Sequence, residues 1–403
     1  MSTAAETTDF RTEVRQWVEA SFPAALKGYT PAMEGQADPA LAEALEQWRE
    51  ALASRGYGAP TWPQEYGGAG LDHPSARIVA QEMAKAGAFN HIPLITGMGI
   101  TMVGPTILDF GTEAQKVKHL PGIASGKVRW CLGLSEPNAG SDLASLSTRC
   151  EDRGDHWVVN GQKIWTSGAD ISQWCGALVR TDNTGSKHEG ISFVMLPMDQ
   201  AGVETRPIRL ISGVSPFCET FFNDARAEKD DLLSEPGNGW NVIKRLLQHE
   251  RASQTGAGGP RGEGGRKLQE VAKAYVGTDA DGRLADPDLR ARVTRHLMDA
   301  EAHKLTTDRI TAEAKGNVNV SAAASIMKNS ATDVTQSKAE LMIELMGYQG
   351  LAWDGEAFTP EEIGTVRDWL WGKAISIYGG SYEVQKNIIS KNILGLPEMT
   401  QKG

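Results

Sequence analysis

Apolar residues return every three or four positions over residues 9–20, through Phe10, Val14 and Trp17, and over 40–54, through Leu41, Leu45, Trp48 and Leu52. That spacing predicts two amphipathic helices. A longer apolar stretch over 92–110 reads as a buried helix broken by Gly97, Gly99 and Gly104. The period then changes. His156-Trp157-Val158-Val159 and Gln162-Lys163-Ile164-Trp165 flank Asn160-Gly161, the strongest short hairpin signal. Further strands are predicted at 177–180, 191–196, 203–208 and 219–222. Helical spacing resumes over 240–255, 288–315, 321–346 and 361–377, with Asp286-Pro287 as a start signal and the Gly347 region as a stop. The chain is therefore expected as helical 1–125, a β domain 126–235 and helical 236–403.

Composition narrows the function. The 403 residues carry 51 acidic against 41 basic side chains, for a formal charge of -10. A nucleic-acid binder normally shows a basic face, so that class is disfavoured. No apolar run approaches the ~20 residues that span a bilayer, and the polar N-terminus lacks the pattern of a signal peptide. The four cysteines, Cys131, Cys150, Cys175 and Cys218, stand apart without metal-ligand spacing. A soluble, cytoplasmic protein is expected. The tract 255–265 is glycine-rich and reads equally as a loop or as helix breaks.

The string Gly133-Leu134-Ser135-Glu136-Pro137-Asn138-Ala139-Gly140-Ser141-Asp142-Leu143-Ala144-Ser145 offers hydroxyls and backbone N–H groups to an anion or a polar ring. By composition alone it is an ordinary turn. As a whole, however, it resembles the signature loop of the acyl-CoA dehydrogenase family. Asn160-Gly161-Gln162-Lys163-Ile164-Trp165-Thr166-Ser167 resembles that family's second flavin element. The resemblance extends to Trp62-Pro63-Gln64-Glu65-Tyr66-Gly67-Gly68-Ala69-Gly70, to Asn238-Gly239-Trp240, and to Gly380-Ser381 followed by Gln385-Lys386-Asn387-Ile388-Ile389.

This resemblance implies an α+β fold: an N-terminal helical domain, a middle β-barrel or sandwich, and a C-terminal four-helix bundle. It implies FAD between the last two. Leu132, Leu134 and Ser135 would contact the isoalloxazine, Trp165 would cover one face, and Ser167 would reach the ring's polar edge. Gly140 and Ser141 would lie where flavin and acyl-CoA approach, and Ser381 and Glu383 at flavin positions. Apolar walls with a few fixed hydrogen bonds suit a hydride acceptor. A core aromatic is the plain alternative for Trp165. The implied reaction is α,β-dehydrogenation of an acyl-CoA, with electrons passing to an electron-transfer flavoprotein, in a homotetramer or a heterotetramer with a paralogue. Lys391 falls where the family places a basic residue near CoA, and is otherwise a surface lysine.

Two departures stand out. Many family members carry a glutamate where this chain has Gly379, which cannot take a proton but keeps the backbone N–H the family turns on the thioester oxygen. In isovaleryl- and long-chain-type enzymes the base instead comes from a Glu-Arg pair on the first C-terminal-domain helix, matched here by Glu250-Arg251. Helix geometry supports Glu250 independently: it follows Ile243 by seven residues and Leu246 by four, on the apolar face. Burial there would raise a carboxyl pKa, as a base working near neutrality requires. A structural pair with an arginine is the alternative, and Arg251 would position substrate. The second departure is a missing Arg-x-x-Phe-Gly element that in many members reaches a neighbouring subunit's FAD. Gly347, in Met346-Gly347-Tyr348-Gln349-Gly350, partly matches another such contact. Two rival readings stay open: an oxygen-using acyl-CoA oxidase or flavin monooxygenase, and a non-catalytic subunit.

Overall fold

The computed structural model describes residues 4–29, 39–255, 267–314 and 321–397. It divides into two compact units, Met1–Arg209 with Ser215–Gly259, and Leu210–Val214 with Pro260–Gly403.

The first unit opens with helices α1 (Ala4–Ser21), α2 (Ala42–Ser54), α3 (His73–Lys85), α4 (Ile92–Thr96), α5 (Gly104–Phe110) and α6 (Glu113–Ala124). The predicted apolar stripes face inward: Val14 and Val18 of α1 and Leu45, Trp48 and Leu52 of α2 share one core. The apolar stretch over 92–110 is broken as expected, into α4, a π-helical turn Gly99–Val103 and α5. Helices α3 and α6 escaped the periodicity reading. Their starts are set by side-chain caps, Asp72 accepting from Ser75 N and Thr112 forming a capping box with Gln115. Gln115 then reaches from α6 to the carbonyls of Asp230 and Leu232 at 2.7 and 2.9 Å, tying the helices to the sheet.

The sheet has eight strands: β1 (Trp130–Gly133), β2 (Arg149–Asp152), β3 (His156–Ser167), β4 (Trp174–Arg180), β5 (Ile191–Pro197), β6 (Val203–Ile208), β7 (Phe217–Glu228) and β8 (Leu232–Leu233). Their order is β6-β7-β3-β2-β4-β5-β8, with β1 parallel on β4. Alternation divides each strand between two cores. Val194 and Leu196 of β5 join Trp157, Phe222 and all four cysteines, which are free thiols. Phe193 and Met195 join the helical side with Trp62, Ile107 and Trp130.

The expected hairpin at Asn160-Gly161 is not formed; β3 runs straight through it. The pair serves a bulge against β7 instead, with a register shift between Val159 and Gly161. Asn160 exchanges two hydrogen bonds with Asp224, Nδ2 to Oδ1 at 2.9 Å and Asp224 N to Oδ1 at 2.8 Å. Glycine is required at 161 because a Cβ would lie 2.5 Å from Thr148 Oγ1. The dipeptide's local preference for a turn loses to pairing on both sides of the strand.

Helix α7 (Gly239–Thr255) closes the first unit. Val242, Ile243 and Leu246 are buried in the same core as Phe193 and Ile107. The second unit is helical: α8 (Leu268–Tyr275), α9 (Pro287–Ala314), α10 (Ser321–Met346), α11 (Pro360–Gly372) and α12 (Tyr382–Asn392). Its core gathers Leu268 and Val271 of α8, Val293 of α9, and Leu341, Met342 and Leu345 of α10. Residues 256–265 of the glycine-rich tract lie outside the described residues. No described helix is long and apolar enough to cross a membrane.

Candidate functional site

Strand β1 carries Leu132, buried, into the loop after Gly133, where Leu134 and Ser135 are half-buried and Gly140 and Ser141 exposed. The loop is a fixed structure. A two-way backbone pair, Glu136 N to Ala139 O and Ala139 N to Glu136 O, both 3.0 Å, closes a turn over Pro137 and Asn138. Arg180 of β4 holds the carbonyls of Ala144 and Leu146 at 2.7 and 3.2 Å. Lys187 holds Asp142 and Ser145 at 3.1 and 2.8 Å. Nothing lies within 4 Å of a Cβ placed on Gly140, so that surface is open to a ligand.

Beneath the loop runs Lys163 of β3, whose side chain has no exposed surface. Its Nζ donates to Glu136 Oε1 at 2.8 Å and to Leu134 O at 3.2 Å. Glu136 also accepts from Ser147 N and Oγ and from Thr148 N, at 2.7, 2.8 and 2.9 Å. Burial works to raise the Glu136 carboxyl; the charge and hydrogen bond of Lys163, with Thr148 and Ser147, outweigh it and bring it to about 2. Burial holds Lys163 below the usual lysine range, against the pull of Glu136. Neither residue stood out among the sequence candidates, because a lysine in an alternating strand reads as solvent-facing.

Two residues on, Trp165 takes φ +62, an uncommon conformation for a bulky side chain. The cause is a second bulge, with a register shift between Lys163 and Thr166 against β7. The bulge turns the indole outward, 53% exposed, with Phe217 edge-on at 6.1 Å. Ser167, half-buried, ends the strand opposite Phe217. An outward indole held in a strained bulge, beside an open loop of serines and glycine, fits a flat ring with polar edges; these residues suit FAD. Trp165 is thus not the core aromatic of the plain alternative.

Glu250 of α7 is half-buried, one turn beyond the buried Leu246. The same helix is pinned to α5 by Asp109, whose Oδ2 takes Arg245 Nε at 2.6 Å and His249 Nε2 at 2.8 Å. Burial would raise the Asp109 carboxyl; Arg245 and His249 bring it below the usual range. Asp109 was missed, although Arg245 and His249 at i and i+4 mark a face that could have signalled a shared partner. Arg251 lies in α7, but its side chain is outside the described residues. Beside the loop, Ser145, Ser147, Arg149, Arg180, Asn183 and Lys187 line a crevice of about 400 Å³, polar and basic enough for an anionic group.

The second unit holds the other candidates. Gly379 and Gly380 take φ +65 and +87, turning the chain into α12. Ser381 caps that helix by accepting from Val384 N at 3.4 Å. Glu383, in its first turn, is held below the usual carboxylate range by backbone and Ser381 hydrogen bonds. Gln385 Nε2 donates to Gly379 O at 2.7 Å. A Cβ on Gly379 would meet only Lys328 Cε, at 4.0 Å. Gly347, φ +56, ends α10, and Lys391 is exposed on α12. The structure thus gathers Leu132, Leu134, Ser135, Gly140, Ser141, Trp165, Ser167 and Glu250 in one unit, and Gly347, Gly379, Ser381 and Glu383 in the other.

Three family profiles match in chain order: Acyl-CoA dehydrogenase, N-terminal domain, over residues 4–127; middle domain, over 131–225; and C-terminal domain, over 237–394. Acyl-CoA dehydrogenase IpdE1 of Mycobacterium tuberculosis is 36% identical over 398 residues, covering 96% of this chain and 97% of the relative. Among solved structures, the Tcur3481-Tcur3483 steroid ACAD superposes with a TM-score of 0.74 at 28% identity, over 98% of this chain and 99% of that one. The ChsE4-ChsE5 complex from Mycobacterium tuberculosis gives 0.72 at 26% identity, over 99% of both.

Proposed function

Since this chain belongs to the acyl-CoA dehydrogenase family, we propose that Glu250 is the base of its reaction and that the first unit's loop and bulge hold its flavin. The protein is an FAD-dependent oxidoreductase that desaturates an acyl-CoA thioester. FAD, when bound, supplies the acceptor for the β-hydrogen as hydride. The chain's own residues do the rest. The Glu250 carboxylate takes the proton from the thioester's α-carbon. Leu132, Leu134 and Ser135 would line the ring, Trp165 would cover it, and Ser167 would donate at its edge. Gly140 and Ser141 would complete the first unit's contacts, and the family resemblance marks Gly347, Ser381 and Glu383 as flavin positions on the second unit. The negative charge growing on the thioester oxygen needs a preorganised donor, a role that the family resemblance assigns to the backbone N–H of Gly379. Ser141 and Arg251 orient the substrate, and the crevice of Arg149, Arg180 and Lys187 receives the phosphate-bearing end of CoA.

The observation that carries this assignment is the placement of Glu250: a half-buried carboxylate continuing the apolar face of a helix whose register Asp109 fixes.

The acyl group is read as bulky and ring-bearing. Gly379 leaves open the space a side chain would fill, and one solved relative is described as a steroid ACAD. Electrons leave to an electron-transfer flavoprotein, and the working assembly is a tetramer with a paralogous chain, as supported by a relative solved as a two-component complex. Because Gly379 also suits a subunit that binds without turning over, the deciding experiment is anaerobic titration of the yellow protein with straight-chain and ring-bearing acyl-CoAs. Bleaching by the ring-bearing class, slowed in Glu250→Gln with flavin retained, is expected. A flavin that no thioester bleaches favours the non-catalytic subunit, and an unslowed Glu250→Gln removes the base assignment.

A further inference from the structure

The buried Lys163–Glu136 pair takes no part in the reaction just described, yet it touches the loop proposed to hold the flavin. Lys163 Nζ holds the Leu134 carbonyl at 3.2 Å, and the next residue of β3, Ile164, donates its N–H to the Ser135 carbonyl at 2.9 Å. Both carbonyls therefore point toward β3. In a trans peptide the carbonyl and the following N–H point in opposite directions, and the described residues include no cis bond. Drawing the Leu134 oxygen inward thus turns the Ser135 N–H outward. Among the described residues that N–H has no hydrogen-bond acceptor, whereas the neighbouring Glu136 N–H is used by Ala139 O at 3.0 Å.

We propose that Lys163 is a positioning residue for the cofactor: by holding the Leu134 carbonyl and the Glu136 carboxylate inward, it keeps the Ser135 amide N–H aimed at the acceptor edge of the flavin. Without the ammonium, the peptide between Leu134 and Ser135 is free to turn over. A carbonyl oxygen would then face the ring's acceptor atoms where a donor stood. An apolar side chain cannot do this work, because the Leu134 oxygen, 3.2 Å from Nζ, needs a donor delivered through a closed core. Glu136 supplies the counter-charge that lets an ammonium sit there. Its remaining acceptors tie the same ammonium to Ser147 and Thr148, at the far end of the loop.

The inference rests on the FAD reading, and the test separates the two. FAD dissociation constants are measured on apoprotein by flavin fluorescence, beside the apoprotein Tm, for four proteins. These are wild type, Lys163→Met, the double variant Glu136→Gln/Lys163→Met that leaves no orphan charge, and Val159→Ala, a buried cavity in the same strand. Both Lys163 variants should weaken FAD roughly ten- to a hundredfold, the worth of leaving a buried acceptor without its donor. Val159→Ala, at a matching loss of Tm, should change it far less. In wild type, the Ser135 amide should gain protection from hydrogen exchange when FAD is added. FAD affinity that tracks Tm alike in all variants overturns the inference, as does an unprotected Ser135 amide in the FAD-bound protein. Wild-type apoprotein that does not take up FAD overturns the cofactor reading and the inference with it.

Discussion

Glu136→Gln isolates a buried charge whose surroundings are fully specified. The carboxylate accepts four hydrogen bonds, two on each oxygen: Ser147 N and Oγ on Oε2, Thr148 N and Lys163 Nζ on Oε1. Glutamine keeps the shape and replaces one oxygen with an NH2 group, so Thr148 N and Lys163 Nζ face a donor in one orientation, and Ser147 N does in the other, where the Ser147 hydroxyl can turn to accept. Each lost bond to a charged group costs about 1.5–3 kcal/mol. Lys163, with no exposed surface, also loses its counter-charge. The terms overlap, and a loss of about 3–5 kcal/mol is expected, the range for breaking a buried pair.

The pKa leads to a similar size. A carboxyl brought to about 2, from about 4.3 unfolded, corresponds to about 3 kcal/mol. The sign follows: the folded pKa is the lower, so this stability is present above about pH 4 and disappears as pH falls toward 2. Asp142→Asn, breaking the exposed pair with Lys187, is the control and should cost under about 1 kcal/mol. The assay is urea unfolding of the apoproteins, followed by tryptophan fluorescence at neutral and falling pH. A Glu136→Gln loss no larger than that of Asp142→Asn would refute the reasoning. So would a gap from wild type that does not narrow between about pH 4 and 2.

Trp165→Gly should separate strain from binding. Release of a left-handed backbone is worth about 1–2 kcal/mol, so the apoprotein Tm should not fall, while FAD affinity drops with the loss of the exposed indole. Gly161→Ala should destabilise by about 3 kcal/mol in a denaturant melt, because its Cβ meets Thr148 Oγ1 at 2.5 Å and Thr148 Cα at 2.7 Å. Gly379→Ala should fold with a loss of about 1–2 kcal/mol from its left-handed φ, having no close neighbour. Its effect on flavin reduction should be larger for ring-bearing than for short thioesters. Glu250→Gln should slow anaerobic flavin reduction by roughly 10²- to 10⁴-fold without loss of the yellow colour.

The sequence alone determined what short-range periodicity encodes. The stripes of α1 and α2, the glycine breaks over 92–110, the edge strand Val203–Ile208 and the long helix Ser321–Met346 were legible, because burial on one face repeats at a fixed interval. So was the family, carried by loop strings whose residue types belong together. Short elements such as β1 and β2, four residues each, carry too few positions to show a period. Tertiary structure alone decided the rest. Asn160-Gly161 became a bulge because Asp224, on another strand, completes its hydrogen bonds. Trp165 was turned outward by a register shift against β7 that its own neighbours do not encode. Lys163 went inside because a carboxylate 27 residues earlier in the chain meets it there. A local pattern reports which side chains avoid water, whereas the burial of a charge depends on a partner that only the folded chain brings within reach.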